Sequence, residues 1–161
     1  DGSNIFYRFA GGRYYKVVTN YSTGSSAERT LCLQKNYANS VGAILSSNLF
    51  FWYYQIFSDN LNLKNYEIET FRIPVDKLNK KVIRDIEELY SEYLTDIEKN
   101  SNVRQTTKYA NIDSFKEYKI GKSKHLIDKI DLAIKDIYGL TDEEVNYIIN
   151  YDIKFRTDEE E

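Results

Sequence analysis

Residues 37–58, YANSVGAILSSNLFFWYYQIFS, decide the fold. Val41, Ile44, Leu45, Asn48, Leu49, Trp52, Gln55 and Ile56 recur at helical spacing, which makes one face apolar for about four turns. From Leu49 to Phe57 nearly every position is large and apolar. A helix that is apolar all round is buried all round, so this stretch predicts one continuous central rod for the core. Its first turns are too polar for a bilayer crossing, which needs roughly 20 apolar residues. Phe50, Phe51, Trp52, Tyr53 and Tyr54 therefore read as core. As an aromatic platform for bases they would have to leave the core they are needed to build.

Working outward toward the N-terminus, Ile5 to Thr19 reads as a β-hairpin. Ile5, Tyr7 and Phe9 alternate with smaller or polar neighbours, Gly11-Gly12 is a turn signal, and Arg13 to Thr19 is rich in β-formers. Asn20 to Ala27 is a Ser/Gly/Asn loop, and Arg29 to Leu33 a short strand. On the other side, Leu61 to Ile73 predicts extended chain with Tyr66, Ile68, Phe71 and Ile73 inward, closed by Pro74, the only proline. Lys77 to Lys99 is a long amphipathic helix with a single stripe: Leu78, Val82, Ile86, Leu89, Tyr93 and Ile97. Arg104 to Ile120 reads as extended or irregular, with Tyr109, Ile112, Phe115, Tyr118 and Ile120 among basic residues. Lys122 to Tyr138 is a helix with Leu126, Ile127, Ile130, Ile134 and Ile137 inside, stopped by Gly139. Thr141 and Glu144 form a capping box for a last short helix anchored by Val145, Ile148 and Ile149, with Tyr138, Leu140 and Tyr151 sealing the pair.

The expected fold class is α+β: a small mixed or antiparallel sheet packed on a central buried helix, then a long amphipathic helix and a C-terminal helix pair. Residues 1–74 form an αβ core, 75–100 the long helix, and 101–161 a basic segment and helix pair that complete the same domain. At 161 residues the chain is long enough for one real core. The single Cys (Cys32) excludes an internal disulfide, and with a single His (His125) it excludes a His- or Cys-based metal cluster. No signal peptide or membrane span is visible, which together with the lone Cys predicts a cytoplasmic protein. The start at Asp1-Gly2-Ser3-Asn4, without Met, predicts a piece of a longer protein.

Catalytic readings find little to work with. One His, in the polar run Lys122-Ser123-Lys124-His125, cannot build a Ser–His–acid or Cys–His set and reads as a surface residue at a helix start. The carboxylate pairs Glu87-Glu88 and Glu143-Glu144 lie on solvated helical positions. Gly11-Gly12 lacks the third glycine and the strand–helix context of a nucleotide loop. Two basic–aromatic stretches remain. In YRFAGGRYYK (7–16), a hairpin would put Arg13 and Tyr15 on one face and Tyr14 and Lys16 on the other. The second stretch is 104–124, with six basic residues against Asp113 and Glu117. The net charge of −3 hides this local balance, because Asp158 to Glu161 is wholly acidic while 101–135 carries eight Lys or Arg against four Asp or Glu.

Several of these stretches, in this order, resemble the target-recognition domain of adenine-specific DNA methyltransferases, notably those of type IIG restriction–modification enzymes. YRFAGGRYYK (7–16) is similar to the start of that domain. AILSSNLFFWYY (43–54) is similar to its Leu–Asn–Ser helix followed by aromatics, which type I specificity subunits share, although here Ser46-Ser47-Asn48 stands where Asn-Ser-Ser is usual. FRIP (71–74) is similar to the strand that follows, and IDKIDLAIKDIYGLTDEEVNYIINYD (127–152) to the C-terminal signature. The resemblance implies a parent that methylates the exocyclic amine of adenine in duplex DNA, as part of a restriction–modification or phage-defence system. This chain would select the site. The Asn-Pro-Pro-Tyr motif and the Gly-rich loop for S-adenosylmethionine are absent from it, so that cofactor is expected in a separate catalytic domain, the chain's implied partner along with double-stranded DNA. From charge and position, Arg8, Arg13, Tyr15 and Lys16 are the expected contacts to bases or backbone, and Arg104, Lys108, Lys116 and Lys119 the expected phosphate contacts. The competing reading is a helical protein-interaction module that pairs through the 78–97 stripe.

Overall fold

The 37–58 stretch folds as two helices, α1 (Ala38–Leu45) and α2 (Asn48–Phe57), not as the single rod its periodicity predicts. The computed structural model describes residues 1–108 and 111–157, and side chains for all of these except 106–108 and 111–113. The break falls at Ser46-Ser47. Ser46 Oγ donates to the Gly42 carbonyl (2.8 Å) and Ser47 Oγ to the Ile44 carbonyl (2.6 Å). Ser47 Oγ then accepts from the Phe50 N–H (3.2 Å) as the N-cap of α2. Short hydroxyl side chains offer the backbone such alternatives, so two in succession can end one helix and start the next. Every residue from Ser40 to Phe51 is buried, so the break lies inside the core.

A buried helix start leaves N–H donors without water. Asp131, 2% exposed, supplies the acceptors: its Oδ2 accepts from Asn48 N–H and its Oδ1 from Leu49 N–H, both at 2.9 Å. Asn48 Nδ2 also donates to Asp131 Oδ2 (2.9 Å) and to Asp128 Oδ1 (2.8 Å). Asn48 Oδ1 accepts from the Arg156 guanidinium (2.6 Å), and Lys124 Nζ pairs with Asp128. Two carboxylates and two cations thus form one connected cluster around a helix N-terminus. Burial pushes the Asp131 carboxyl up from its ordinary 3.8 to about 7, while the N–H donors pull it down.

The chain is α+β, with small antiparallel sheets packed against helices. β1 (Gly2–Arg8) lies between β2 (Val18–Thr19) and β3 (Glu28–Gln34), in register Tyr7↔Val18 and Tyr7↔Arg29. Ile5 and Tyr7 alternate inward and are buried. The expected 5–19 hairpin is realised only at its base, where Phe6↔Thr19 and Tyr7↔Val18 pair. Gly11 and Gly12 both take positive φ (79° and 63°), and a Cβ on Gly12 would fall 2.4 Å from the Tyr15 carbonyl oxygen. The chain folds back so tightly there that residues 9–17 form a loop, and the expected face-sharing of Arg13 to Lys16 does not hold.

Residues 61–73 are not extended either, since α3 (Asn65–Thr70) forms there. The Glu67 side chain accepts from the Lys64 N–H (2.8 Å) and starts the turn. A three-residue step then puts Ile68 and Phe71 inward, while Tyr66 stays 53% exposed.

A 3₁₀ turn at Val75–Lys77 leads into α4 (Lys80–Lys99), capped by Asn79. Its buried face is Ile86, Tyr90, Tyr93, Leu94 and Ile97, wider than the expected stripe, with Val82 and Leu89 only half-buried. Tyr90 lies against Gly42 of α1, where a Cβ would meet the Tyr90 hydroxyl at 2.6 Å, and its O–H donates to the Val18 carbonyl (2.9 Å). The stripe that suggested pairing with another chain is therefore packed inside this one.

Where 104–120 reads as extended or irregular, β4 (Ser101–Lys108) and β5 (Asn111–Tyr118) pair antiparallel, in register Arg104↔Phe115. Tyr109 and the side chains of Ile112 and Asp113 lie outside the described residues, as does the acidic run 158–161. α5 (Lys124–Ile134) buries Leu126, Ile127, Ile130 and Ile134, and Ile137 follows them into the core. Gly139 turns the chain at φ 63°, and Thr141 caps α6 (Asp142–Asn150) by accepting from the Glu144 N–H (3.1 Å). The short α7 (Ile153–Arg156) follows. Among the described residues, no helix is long and apolar enough to cross a membrane.

Two stability predictions follow from these contacts. Gly42→Ala adds helix propensity worth up to about 1 kcal/mol, but the clash with Tyr90 should outweigh it, for a net loss of about 1–3 kcal/mol by urea denaturation. Asp131→Asn should cost about 2–3 kcal/mol, because one buried N–H donor loses its acceptor. Folding raises the Asp131 pKa to about 7, so its contribution to stability is full below the ordinary carboxyl range and is lost as pH rises through about 7. Wild type should therefore lose part of its advantage over Asp131→Asn between about pH 5 and about pH 8. A gap that widens over that interval contradicts the raised pKa.

Candidate nucleic-acid interface

The two basic–aromatic stretches face each other across one cleft of about 1630 Å³. One wall is the 9–17 loop with residues 24–27. The other is β5 and the turn after it, with Arg104, and α7 closes one end. These segments are far apart in sequence and meet for identifiable reasons. The Arg8 guanidinium donates to Thr23 Oγ1 and to the Lys116 carbonyl and lies 5.1 Å from the Tyr118 ring centroid, tying β1 to β5. Tyr15 O–H donates to the Arg156 carbonyl, and Arg156 Nε to the Tyr14 carbonyl (3.2 Å), tying the loop to α7. Arg156 itself is 2% exposed, with its guanidinium over the rings of Tyr15 (4.5 Å) and Phe51 (4.1 Å) and bonded to Asn48.

These contacts sort the expected site residues into two groups. Arg8, Tyr15 and Lys16 are occupied inside the fold. Burial lowers the Arg8 and Lys16 pKa values and raises that of Tyr15. Lys16 is 7% exposed, with its ammonium over the Tyr54 ring (4.2 Å), so it faces the core and not the cleft. Lys116 pairs with Glu98 behind β5 and does not line the cleft. The side chain of Lys108 lies outside the described residues. Arg13, Arg104 and Lys119 are exposed on the cleft walls, joined by Lys122, which the sequence reading counted in its basic segment without singling it out. Arg104 pairs with Glu117 (2.6 Å), the one acidic residue lining the cleft among the described residues. Among the described residues, no ion pair involves Arg13, Lys119 or Lys122.

The sequence reading missed Phe155 and Arg156. Lys154-Phe155-Arg156 is itself a basic–aromatic triplet, but it sits in a stretch, 136–157, that carries five acids against two basic residues. Exposed cations around a concave, aromatic-lined surface attract polyanions, and rings and backbone amides can then make shorter contacts. A smaller depression of about 470 Å³ beside α4 is lined by Glu87 and Glu98 and, among the described residues, by no Lys or Arg, which suits phosphates poorly. Among the described residues, no group of three or more His, Cys, Asp or Glu could hold a metal ion, and His125 is exposed in the first turn of α5. Comparison with protein-family models, curated proteins and solved structures gave no match.

Arg8→Ala should lower stability by about 1–3 kcal/mol, because it leaves the Lys116 carbonyl and Thr23 without their donor. Arg13→Ala and Lys122→Ala should stay within about 0.5 kcal/mol of wild type. Thermal or urea melts of the three variants separate the framework cations from those free to bind.

Proposed function

We propose that this chain binds DNA in the cleft and serves as the target-recognition unit of an adenine-specific DNA methyltransferase. What supports the first half is that the 9–17 loop, Arg104 and residues 114–122 converge on one surface, where, among the described residues, four exposed cations face a single carboxylate. What supports the second half is the sequence resemblance. In this reading Arg13, Arg104, Lys119 and Lys122 hold phosphates, and the framework residues Arg8, Tyr15, Lys16 and Arg156 fix the walls in place. S-adenosylmethionine and the methyl transfer belong to the catalytic domain, since this chain has neither a Gly-rich donor loop nor Asn-Pro-Pro-Tyr. The exposed apolar residues Ile56, Phe57, Leu61 and Tyr66, gathered within 56–66, offer a surface for that domain.

The test is duplex DNA binding by fluorescence anisotropy across a salt series. Binding should weaken steeply with salt, and Arg13→Ala or Lys122→Ala should each reduce the log–log salt slope by about 1. Binding that ignores salt, or variants that leave the slope unchanged, would remove the cleft from the reading.

A further inference from the structure

At the end of the cleft the rings of Tyr14 and Phe155 lie nearly parallel, 7° apart in plane with centroids separated by 5.8 Å. Both residues line the cleft, and Phe155 is 48% exposed. Each ring carries a cation from its chain neighbour: Arg13 over Tyr14 (5.4 Å) and Lys154 over Phe155 (4.7 Å). Arg13 and Lys154 are exposed, and among the described residues neither has a carboxylate partner. The backbone under the rings is held firmly. The Tyr14 carbonyl accepts from buried Arg156, and the carbonyl of Arg156, next to Phe155, accepts from Tyr15 O–H. An exposed ring held in fixed position gains nothing for folding by facing water.

We infer that the Tyr14–Phe155 pair is a stacking step for one unpaired nucleobase, with Arg13 and Lys154 taking the flanking phosphates. The inference rests on the proposed nucleic-acid cleft and deepens it. A nucleobase has a flat apolar face, and stacking on an aromatic ring depends little on which base it is. Without nucleic acid the two cations rest on the ring faces through cation–π attraction, which is weak at exposed sites. A base can displace them toward phosphates one bond network away, so the charge is not stranded. Because the rings are already aligned, ordering them adds little entropic cost to binding.

The test uses the whole chain and three otherwise identical short duplexes: fully paired, with one unpaired 2-aminopurine, and with one unpaired abasic nucleotide at the same place. Wild type should bind the 2-aminopurine duplex about tenfold tighter than the abasic one and quench its fluorescence. Phe155→Leu, which keeps apolar volume and removes the ring, should erase that preference while holding the fully paired affinity within about twofold. Phe155→Tyr should retain both. Equal affinity for the 2-aminopurine and abasic duplexes in wild type, or a Phe155→Leu loss equal on all three, overturns the stacking step and leaves the cleft reading in place. Absence of salt-dependent binding to any of the three overturns the cleft reading and this inference with it.

Discussion

The fold depends on a carboxyl group held at a helix start buried in the core. Once Ser46 and Ser47 interrupt the central apolar stretch, α2 begins inside the core with its first amide donors exposed to a low-dielectric interior. Asp131 is the side chain that meets two of them, and it can do so only if α5 lies against the α1–α2 junction. The helix dipole favours negative charge there, while desolvation opposes it, and burial pushes the carboxyl up to about 7. Asn48 distributes the arrangement further. Its amide donates to both Asp131 and Asp128, and its carbonyl oxygen accepts from Arg156, which brings the far C-terminal turn to the same point. Arg156 in turn holds the Tyr14 carbonyl and offers its own carbonyl to Tyr15, so one end of the cleft is set by a cluster in the core.

Much of the core was legible from spacing alone. Val41, Ile44, Leu45 and Leu49 are buried as a helical face demands, and so are Leu126, Ile127, Ile130, Ile134 and Ile137. What was not legible is where polar groups do core work. Asp131 stands four residues after Ile127 and three before Ile134, on the apolar face of α5, and Asn48 stands on the apolar face of the central stretch. An acid and an amide on two buried faces are the sequence mark of such a cluster, but the apolar pattern runs through them and conceals the break. Tyr90 escaped for a related reason. Its hydroxyl gives it a polar profile, yet the glycine at 42 opens a slot for its ring, and the Val18 carbonyl takes its proton.

The cleft separates two questions that the sequence presents as one. A stretch rich in Arg, Lys and Tyr announces basic–aromatic contacts but not whether they close within the fold or point to solvent. Arg8 and Arg156 have aromatic and carbonyl partners from distant segments, and these internal contacts immobilise them. Arg13 stacks only on its own neighbour, and Lys119 and Lys122 follow a strand end with no carboxylate in reach among the described residues. The difference lies in tertiary partners 100 or more residues away, as the separation of Arg8 from Lys116 and of Tyr15 from Arg156 illustrates, and no local pattern encodes it.

This division also bears on how selectivity could arise under the proposed reading. Long, exposed cations adapt to many phosphate positions, so they supply affinity that depends on salt and little on sequence. Discrimination needs groups whose position is fixed before the ligand arrives, since a misplaced donor or ring adapts at the cost of the energy it would contribute. In this cleft the fixed elements are the loop bent at Gly11 and Gly12, the hairpin strand β5 held by Arg8, and the Tyr14–Phe155 pair held by Arg156. Two of the three depend on cations engaged within the fold: half-buried Arg8, held by Thr23 and the Lys116 carbonyl, and buried Arg156. Of the basic residues conspicuous in the sequence, Arg8 and Lys16 are therefore taken up within the fold, while Arg13, Arg104 and Lys119 stay exposed together with the less conspicuous Lys122 and Lys154.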